Sequence, residues 1–448
     1  MTEYLNASAA PVLSKAKRPE RPLSPRGVAF AAMIGNAIEL YDFVVYAFIA
    51  ATVFGPLFFP TEVPWVGTLL AISAQALAFV TRPLGAVVFG SLGDRFGRRP
   101  ALMASLMIMG AATVLVGILP GYAAIGALAP ILLVTLRLVQ GIAIGGEYPG
   151  AVVVAVEHAP KRLATLYGAF PQVGNMAGLL LAGVTTLVVS GMVGDDVWTS
   201  WGWRVPFLAS AVLLIIGVVL RMRLTETPEF LDATARIAED RRREQGLRVL
   251  FANSWRPLVI TTLAWIGPFA FGYAFLTSLL AFVTTYRPEI AGPTVTLGLV
   301  LTSSLLICAV LFFGRFGDSI GKHRVIVGSG ILTTLWAVPS YLLVDLRTAP
   351  ALFLAMAVGA LAYGAFGGVM PSMMSSAFPV QVRYLGVAVT IAAGALLGGA
   401  LLPIPALALV GEWDGSSAPL MIMMGFAGLC TTIGGILFRR LPKHLGDA

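Results

Sequence analysis

The chain has 448 residues, 58% of them hydrophobic and only 12% charged, with a mean hydropathy of +0.87. Soluble chains carry about 25% charged and about 45–50% apolar residues, so this composition excludes a soluble protein and implies an integral membrane one. Two cysteines, Cys308 and Cys430, exclude a disulfide framework, while a net charge of +8 leaves nucleic-acid binding to be judged from where the charges stand.

Residues 1–26 form a polar, basic tail without the apolar core of a cleavable signal. Twelve apolar runs follow, each near the ~20 residues that a spanning helix needs. They lie at 28–52, 66–90, 100–119, 128–150, 163–190, 203–220, 257–283, 295–314, 325–344, 351–376, 384–410 and 418–438. An even number puts both termini on one side. With that side inside, 25 of the 30 Lys and Arg residues fall in inner segments and three (Arg204, Arg287, Arg347) in outer loops. This is the positive-inside bias, so both termini are expected in the cytoplasm. It also disperses the basic residues over short segments, which removes the nucleic-acid reading. The expected organisation is a tail 1–26, a six-helix bundle 27–221, a central loop 222–256, a second bundle 257–440 and a tail 441–448. The central loop reads RIAEDRRREQGLRVLF, an amphipathic linker helix.

The two halves repeat. GSLGDRFGRR at Gly90–Arg99 returns, degraded, as GRFGDSIGKHR at Gly314–Arg324, and GGEYP at Gly145–Pro149 as GGVMP at Gly367–Pro371. Parallel six-span repeats related by an axis along the membrane normal are a transporter architecture. GSLGDRFGRR resembles the loop signature of the major facilitator superfamily, and RLVQG at Arg137–Gly141 its fourth-span motif. GNAIELYDF at Gly35–Phe43, TRPLGAVVFG at Thr81–Gly90 and SWGWRVPF at Ser200–Phe207 resemble its metabolite:H⁺ symporters, nearest the shikimate-permease-like ones. The resemblance implies an all-α fold of twelve transmembrane helices in two pseudo-symmetric six-helix bundles. Leu40 and Pro149 depart from the family pattern, and Pro149 places the bend of span 4 in question.

In the loop motif, the glycines permit a tight turn while Asp94, Arg95, Arg98 and Arg99 pair across or cap helix ends. Gly90, Gly93, Asp94, Arg95, Gly97, Arg98, Arg99, Glu147, Asp318 and Arg383 are therefore expected to form a conformational gate. The plainer reading of the motif is a turn obeying the charge rule. The spacings Gly141/Gly145, Gly174/Gly178, Gly364/Gly368 and Gly394/Gly398 are close-packing faces.

Charges inside spans are costly and mark function. Asn36, Glu39, Asp42 and Tyr46 share one face of span 1. Arg82 lies in span 2 and Arg137 and Glu147 in span 4, whereas the second-half spans hold no charge between their ends. Depth along the helices, at about 1.5 Å per residue, pairs Asp42 with Arg137 and Glu39 with Arg82. The expected proton-coupling group is Asp42, then Glu39, with Arg137. The expected substrate ligands are Arg82, Arg137, Asn36, Tyr46, Gln172, Asn175, Trp265, Tyr273 and Tyr363. Arg suits a carboxylate bidentately, and an anion displacing the Arg from its carboxylate makes proton and substrate binding reinforce each other. A purely structural ion pair at Asp42 and Arg137, and packing roles for the aromatics, are the plainer alternatives.

The expected function is thus proton-coupled symport of a small organic acid, shikimate-like or another mono- or dicarboxylate. The setting is a bacterial inner membrane, with no metal or cofactor beyond the proton gradient and a monomer as the working unit. Symport of proline or a betaine is the second reading, weakened because only LPKHLGDA follows Arg440, with no coiled coil. Proton-antiport efflux is the third. A receptor or membrane enzyme is disfavoured because no nucleophile–base or metal constellation is legible.

Overall fold

The computed structural model describes residues 23–62, 64–226, 246–272, 274, 279–287, 289–290 and 292–442. Within them the secondary structure is helical, as lipid demands, because a helix satisfies its backbone polar groups internally. The first bundle comprises α1 (Pro25–Ile49), α2 (Pro64–Phe96), α3 (Arg98–Ile118), α4 (Leu128–Glu157), α5 (Ala164–Val193) and α6 (Arg204–Met222). The second comprises α7 (Trp255–Phe271), α8 (Gly292–Ile320), α9 (Lys322–Asp345), α10 (Ala349–Ala377), α11 (Arg383–Leu396) and α12 (Ala418–Phe438).

Ten described helices are long and apolar enough to cross a membrane, or eleven if the pair Leu247–Asn253 and Trp255–Phe271, bent by 89°, is one span. Several spans are less regular than their apolar runs. The first widens into a π-turn at Ala50–Phe54, and the eleventh into another at Leu397–Leu401 before Pro403–Glu412 continues it. The seventh resumes as Leu279–Tyr286. Of the linker helix, Leu247–Asn253 is described; residues 227–245 lie outside the described residues.

Each half repeats the same packing: α1 on α5, α2 on α4 and α3 on α6 are matched by α7 on α11, α8 on α10 and α9 on α12. The glycine spacings make these contacts close. A Cβ on Gly145 would lie 2.6 Å from the Ala86 nitrogen, and one on Gly178 would lie 3.0 Å from the Ala37 carbonyl carbon. A Cβ on Gly368 would lie 2.6 Å from the Gly314 nitrogen, and one on Gly398 would lie 3.0 Å from the Ile266 Cα. Pro149 does not end α4, which runs on to Glu157, seven residues beyond its apolar run.

The halves meet through α11 with α2 and α4, and through α5 with α8 and α10. The turns α2–α3 and α8–α9 pass through Gly97 (φ +111°) and Gly321 (φ +99°), left-handed conformations that a residue with a Cβ resists. Only Gly97 of the first motif makes a turn. Gly90 and Gly93 are helical and instead admit α11, a Cβ on Gly90 standing 2.8 Å from the Leu385 Cα.

Candidate functional site

Four residues of α1 face the interior as their spacing requires, and all are buried: Asn36, Glu39, Asp42 and Tyr46. Asn36 Nδ2 donates to the Ala32 carbonyl at 2.9 Å, leaving its Oδ1 without a partner. Asp42 Oδ2 accepts from Thr113 Oγ1 of α3 at 2.8 Å, and Thr113 accepts in turn from Gln140 Nε2 of α4 at 2.6 Å. Asp42 Oδ1 has no hydrogen-bond partner.

Arg137 does not form the expected ion pair with Asp42. Its guanidinium stacks on Tyr46, 3.3 Å from the ring centroid, with Nε and Nη2 unbonded. The Tyr46 hydroxyl is taken by the Ala71 carbonyl at 3.0 Å, so the phenol is a platform for Arg137 and not a free donor. Arg137 remains the cation whose charge acts on Asp42. At 1% exposure it is sealed from substrate in this state. Depth arithmetic matched the two residues, but an aromatic ring one turn from Asp42 took the guanidinium face.

Glu39 holds one oxygen, Oε2, without a partner, and feels the charges of Arg82 and Arg221. Arg82 is half-buried on α2 over the Phe43 ring, 5.3 Å from its centroid. A hydrogen-bonded row then crosses between the bundles: Tyr148 donates to Gln172 Oε1 at 3.2 Å, and Gln172 Nε2 donates to the Tyr363 hydroxyl at 3.2 Å. Asn175 Nδ2 joins Gln172 at 3.4 Å. Trp265 is instead a packing residue, its indole N–H directed at Met374 Sδ and its ring on Phe366 (4.8 Å) and Phe269 (5.1 Å). Tyr273 lies outside the described residues.

On the side where α1 begins and α12 ends, hereafter the terminal side, the bundles are knitted shut. Asp94 accepts the N–H groups of Tyr384 (3.2 Å) and Leu385 (2.9 Å) at the start of α11, where the helix dipole favours an anion. Asp318 does the same at the start of α5, accepting from Thr165 (2.9 Å) and Leu166 (3.1 Å). Arg98 donates to Asp94 at 2.5 Å, to the Val380 carbonyl at 2.9 Å and to Glu157 at 3.4 Å. Glu157 also accepts from Arg383. Arg95 stands outside this gate, exposed over Phe96. Arg99 stays within its own bundle, donating to the Met222 carbonyl at 2.7 Å. Glu147 is a tie within the first bundle: Arg221 of α6 holds both its oxygens, and Ser105 of α3 donates at 2.7 Å.

Five side chains escaped the sequence: Thr113, Tyr148, Glu157, Arg221 and Tyr384. Glu157 and Arg221 stand past the apolar limits at 150 and 220, where charge read as loop. An acidic residue beside the basic connection at Lys161 and Arg162 was the signal for Glu157. Among the described residues, the second bundle also carries one fully buried charge at its rim, Arg383.

The sugar (and other) transporter family matches residues 28–253. The inner membrane metabolite transport protein YhjE of Escherichia coli is 36% identical over 94% of this chain and 96% of its own. The shikimate transporter of the same organism is 33% identical over 92% and 94%. The proton:xylose symporter XylE bound to 6-bromo-6-deoxy-D-glucose superposes with a TM-score of 0.74 at 16% identity, covering 95% of this chain and 97% of that one. The chain is thus a multi-pass membrane transporter, not an enzyme, and belongs to the major facilitator superfamily, grouped with the metabolite:H⁺ symporters that its motifs resemble.

Proposed function

We propose that the protein is a proton-coupled symporter that imports a small organic acid, shikimate-like or another mono- or dicarboxylate, by alternating access. It works as a monomer in a bacterial inner membrane, with both termini cytoplasmic and no cofactor beyond the proton gradient. The observation that carries this reading is Asp42, buried, with one oxygen satisfied by Thr113 and the other by nothing. An ionised carboxylate so placed costs several kcal/mol unless a cation or a proton neutralises it. Arg137 beyond the Tyr46 ring supplies charge without a contact, which leaves the carboxylate oxygen open to a proton.

Substrate binding belongs lower, where Arg82 is reachable and Tyr148, Gln172, Asn175 and Tyr363 offer donors from both halves. A carboxylate on Arg82 relieves Glu39 of its cation, and a proton on Glu39 restores neutrality. Anion and proton then favour each other, which symport requires. The test is uptake into proteoliposomes under an imposed pH gradient. Accumulation that survives Asp42→Asn and Glu39→Gln together overturns proton coupling through these carboxylates.

A second reading, symport of a zwitterion such as proline or a betaine, draws on Glu39 and Arg82 acting on each other in one region. A melting-temperature panel of carboxylates and betaines separates the two, since a ligand of the folded state raises stability by mass action.

A further inference from the structure

Tyr384 belongs to the second bundle, yet its ring is buried in the first. At the start of α11 its N–H caps onto Asp94, and its side chain enters a slot made by the missing Cβ atoms of two helices. A Cβ on Gly93 of α2 would collide with the ring, and one on Gly150 of α4 would come within 2.6 Å of its Cζ. At the bottom of the slot the hydroxyl donates to the Gly146 carbonyl at 2.6 Å, and the residue is 0% exposed.

Gly146 precedes Glu147, whose carboxylate is held by Arg221. That pair lies against α1 at Gly35, where a Cβ would stand 3.0 Å from Glu147 Oε1, and Gly35 is one turn before Glu39. The tip of Tyr384 therefore reaches the segment of α4 whose next side chain braces α3, α6 and α1.

We propose that Tyr384 is a positioning residue of the transport cycle: a phenol wedge that holds the terminal side shut and seats the Glu147–Arg221 tie through its bond to Gly146. When the bundles part, the ring leaves its slot and the hydroxyl meets water instead. The bond is thus made in one state only, and an interaction of that kind shifts the equilibrium between states. A ring that merely fills space would act equally well without its oxygen. The inference rests on alternating access and not on proton coupling, so it stands or falls separately from the carboxylate reading.

The experiment measures access to the interface. Ser372 of α10 is 0% exposed, and a Cβ on Gly168 of the first bundle would lie 3.4 Å from its nitrogen, so Ser372→Cys reports parting of the bundles. In a Cys308→Ser, Cys430→Ser background in nanodiscs, its alkylation by a maleimide is timed with and without Tyr384→Phe. Loss of one ordinary hydrogen bond predicts labelling about fivefold faster, with a raised KM for uptake and a retained maximal exchange rate. Gly93→Ala, which evicts the ring from the other side, speeds labelling in the same direction and serves if Tyr384→Phe does not fold. Labelling and KM unchanged in the folded variant overturn the proposal.

Discussion

Arg383 donates from Nη1 to Glu157 Oε1 at 2.7 Å, and both side chains are 0% exposed. The bond joins the two bundles, and Arg98 approaches the same oxygen at 3.4 Å. Glu157 therefore bridges two buried guanidiniums in the closed state, sharing Arg98 with Asp94. Removing one member of such a cluster leaves charge out of water without compensation, at about 3–5 kcal/mol. Glu157→Gln is accordingly expected to lower uptake at least tenfold and to depress the melting temperature, with Glu157→Asp intermediate. Proteoliposome uptake and a thermal melt of the same preparations check both.

Asp94 and Asp318 cap opposite bundles by the same geometry, but Asp94 also holds Arg98 at 2.5 Å. Charge-assisted hydrogen bonds contribute about 1.5–3 kcal/mol each. Asp94→Asn and Asp318→Asn should both favour the open terminal side, Asp94→Asn by the larger factor. Alkylation of Ser372→Cys in each background ranks them, and equal rates would mean that Arg98 adds nothing to the cap.

Asp42→Asn removes the proton acceptor but retains an oxygen for Thr113 and adds a donor toward the empty side. The variant is expected to fold, to exchange substrate across the membrane and to lose accumulation driven by a pH gradient. Counterflow and gradient-driven uptake, measured on one preparation, separate those outcomes.

The two arginines should behave differently. Arg82, half-buried and reachable, loses bidentate binding on Arg82→Lys, with KM rising about tenfold and folding intact. Arg137 is sealed on the Tyr46 ring, so Arg137→Lys is expected to lower kcat and melting temperature, since lysine stacks poorly there. Full kinetics on both variants distinguish a ligand from a coupling residue.

Where α2 crosses α4, the Gly145 Cα faces the Arg82 carbonyl and Ala86 nitrogen. Gly145→Ala cannot be absorbed by a flexible side chain, because the obstacles are backbone. It should destabilise the first bundle by about 1–3 kcal/mol, the usual cost of overpacking, readable as a fall in melting temperature.

Much of the fold was legible in the chain. The apolar runs and the crowding of basic residues into alternate connections follow from the bilayer acting alike on every residue at a given depth, and the repeat at Gly90 and Gly314 is visible in the motifs themselves. The shared face of Asn36, Glu39, Asp42 and Tyr46 follows from helical period alone. Helix ends were less legible: α4 reaches Glu157 and α6 includes Arg221, since protein packed around those charges replaces the lipid that would have ended the span. Partners were least legible. Depth placed Arg137 with Asp42, and only side-chain packing put Tyr46 under the guanidinium and Thr113 on the carboxylate.

The composition, 12% charge in an otherwise apolar chain, by itself determined a membrane protein, and the order of the residues put the charges that lie within spans in the first half. What only the tertiary structure decided is which charges meet: Asp94 with the start of α11, Glu157 with Arg383, Glu147 with Arg221. Topology is set by each span's own exchange between water and lipid. A gate is set by contacts between residues hundreds of positions apart, and these exist only once two bundles have docked.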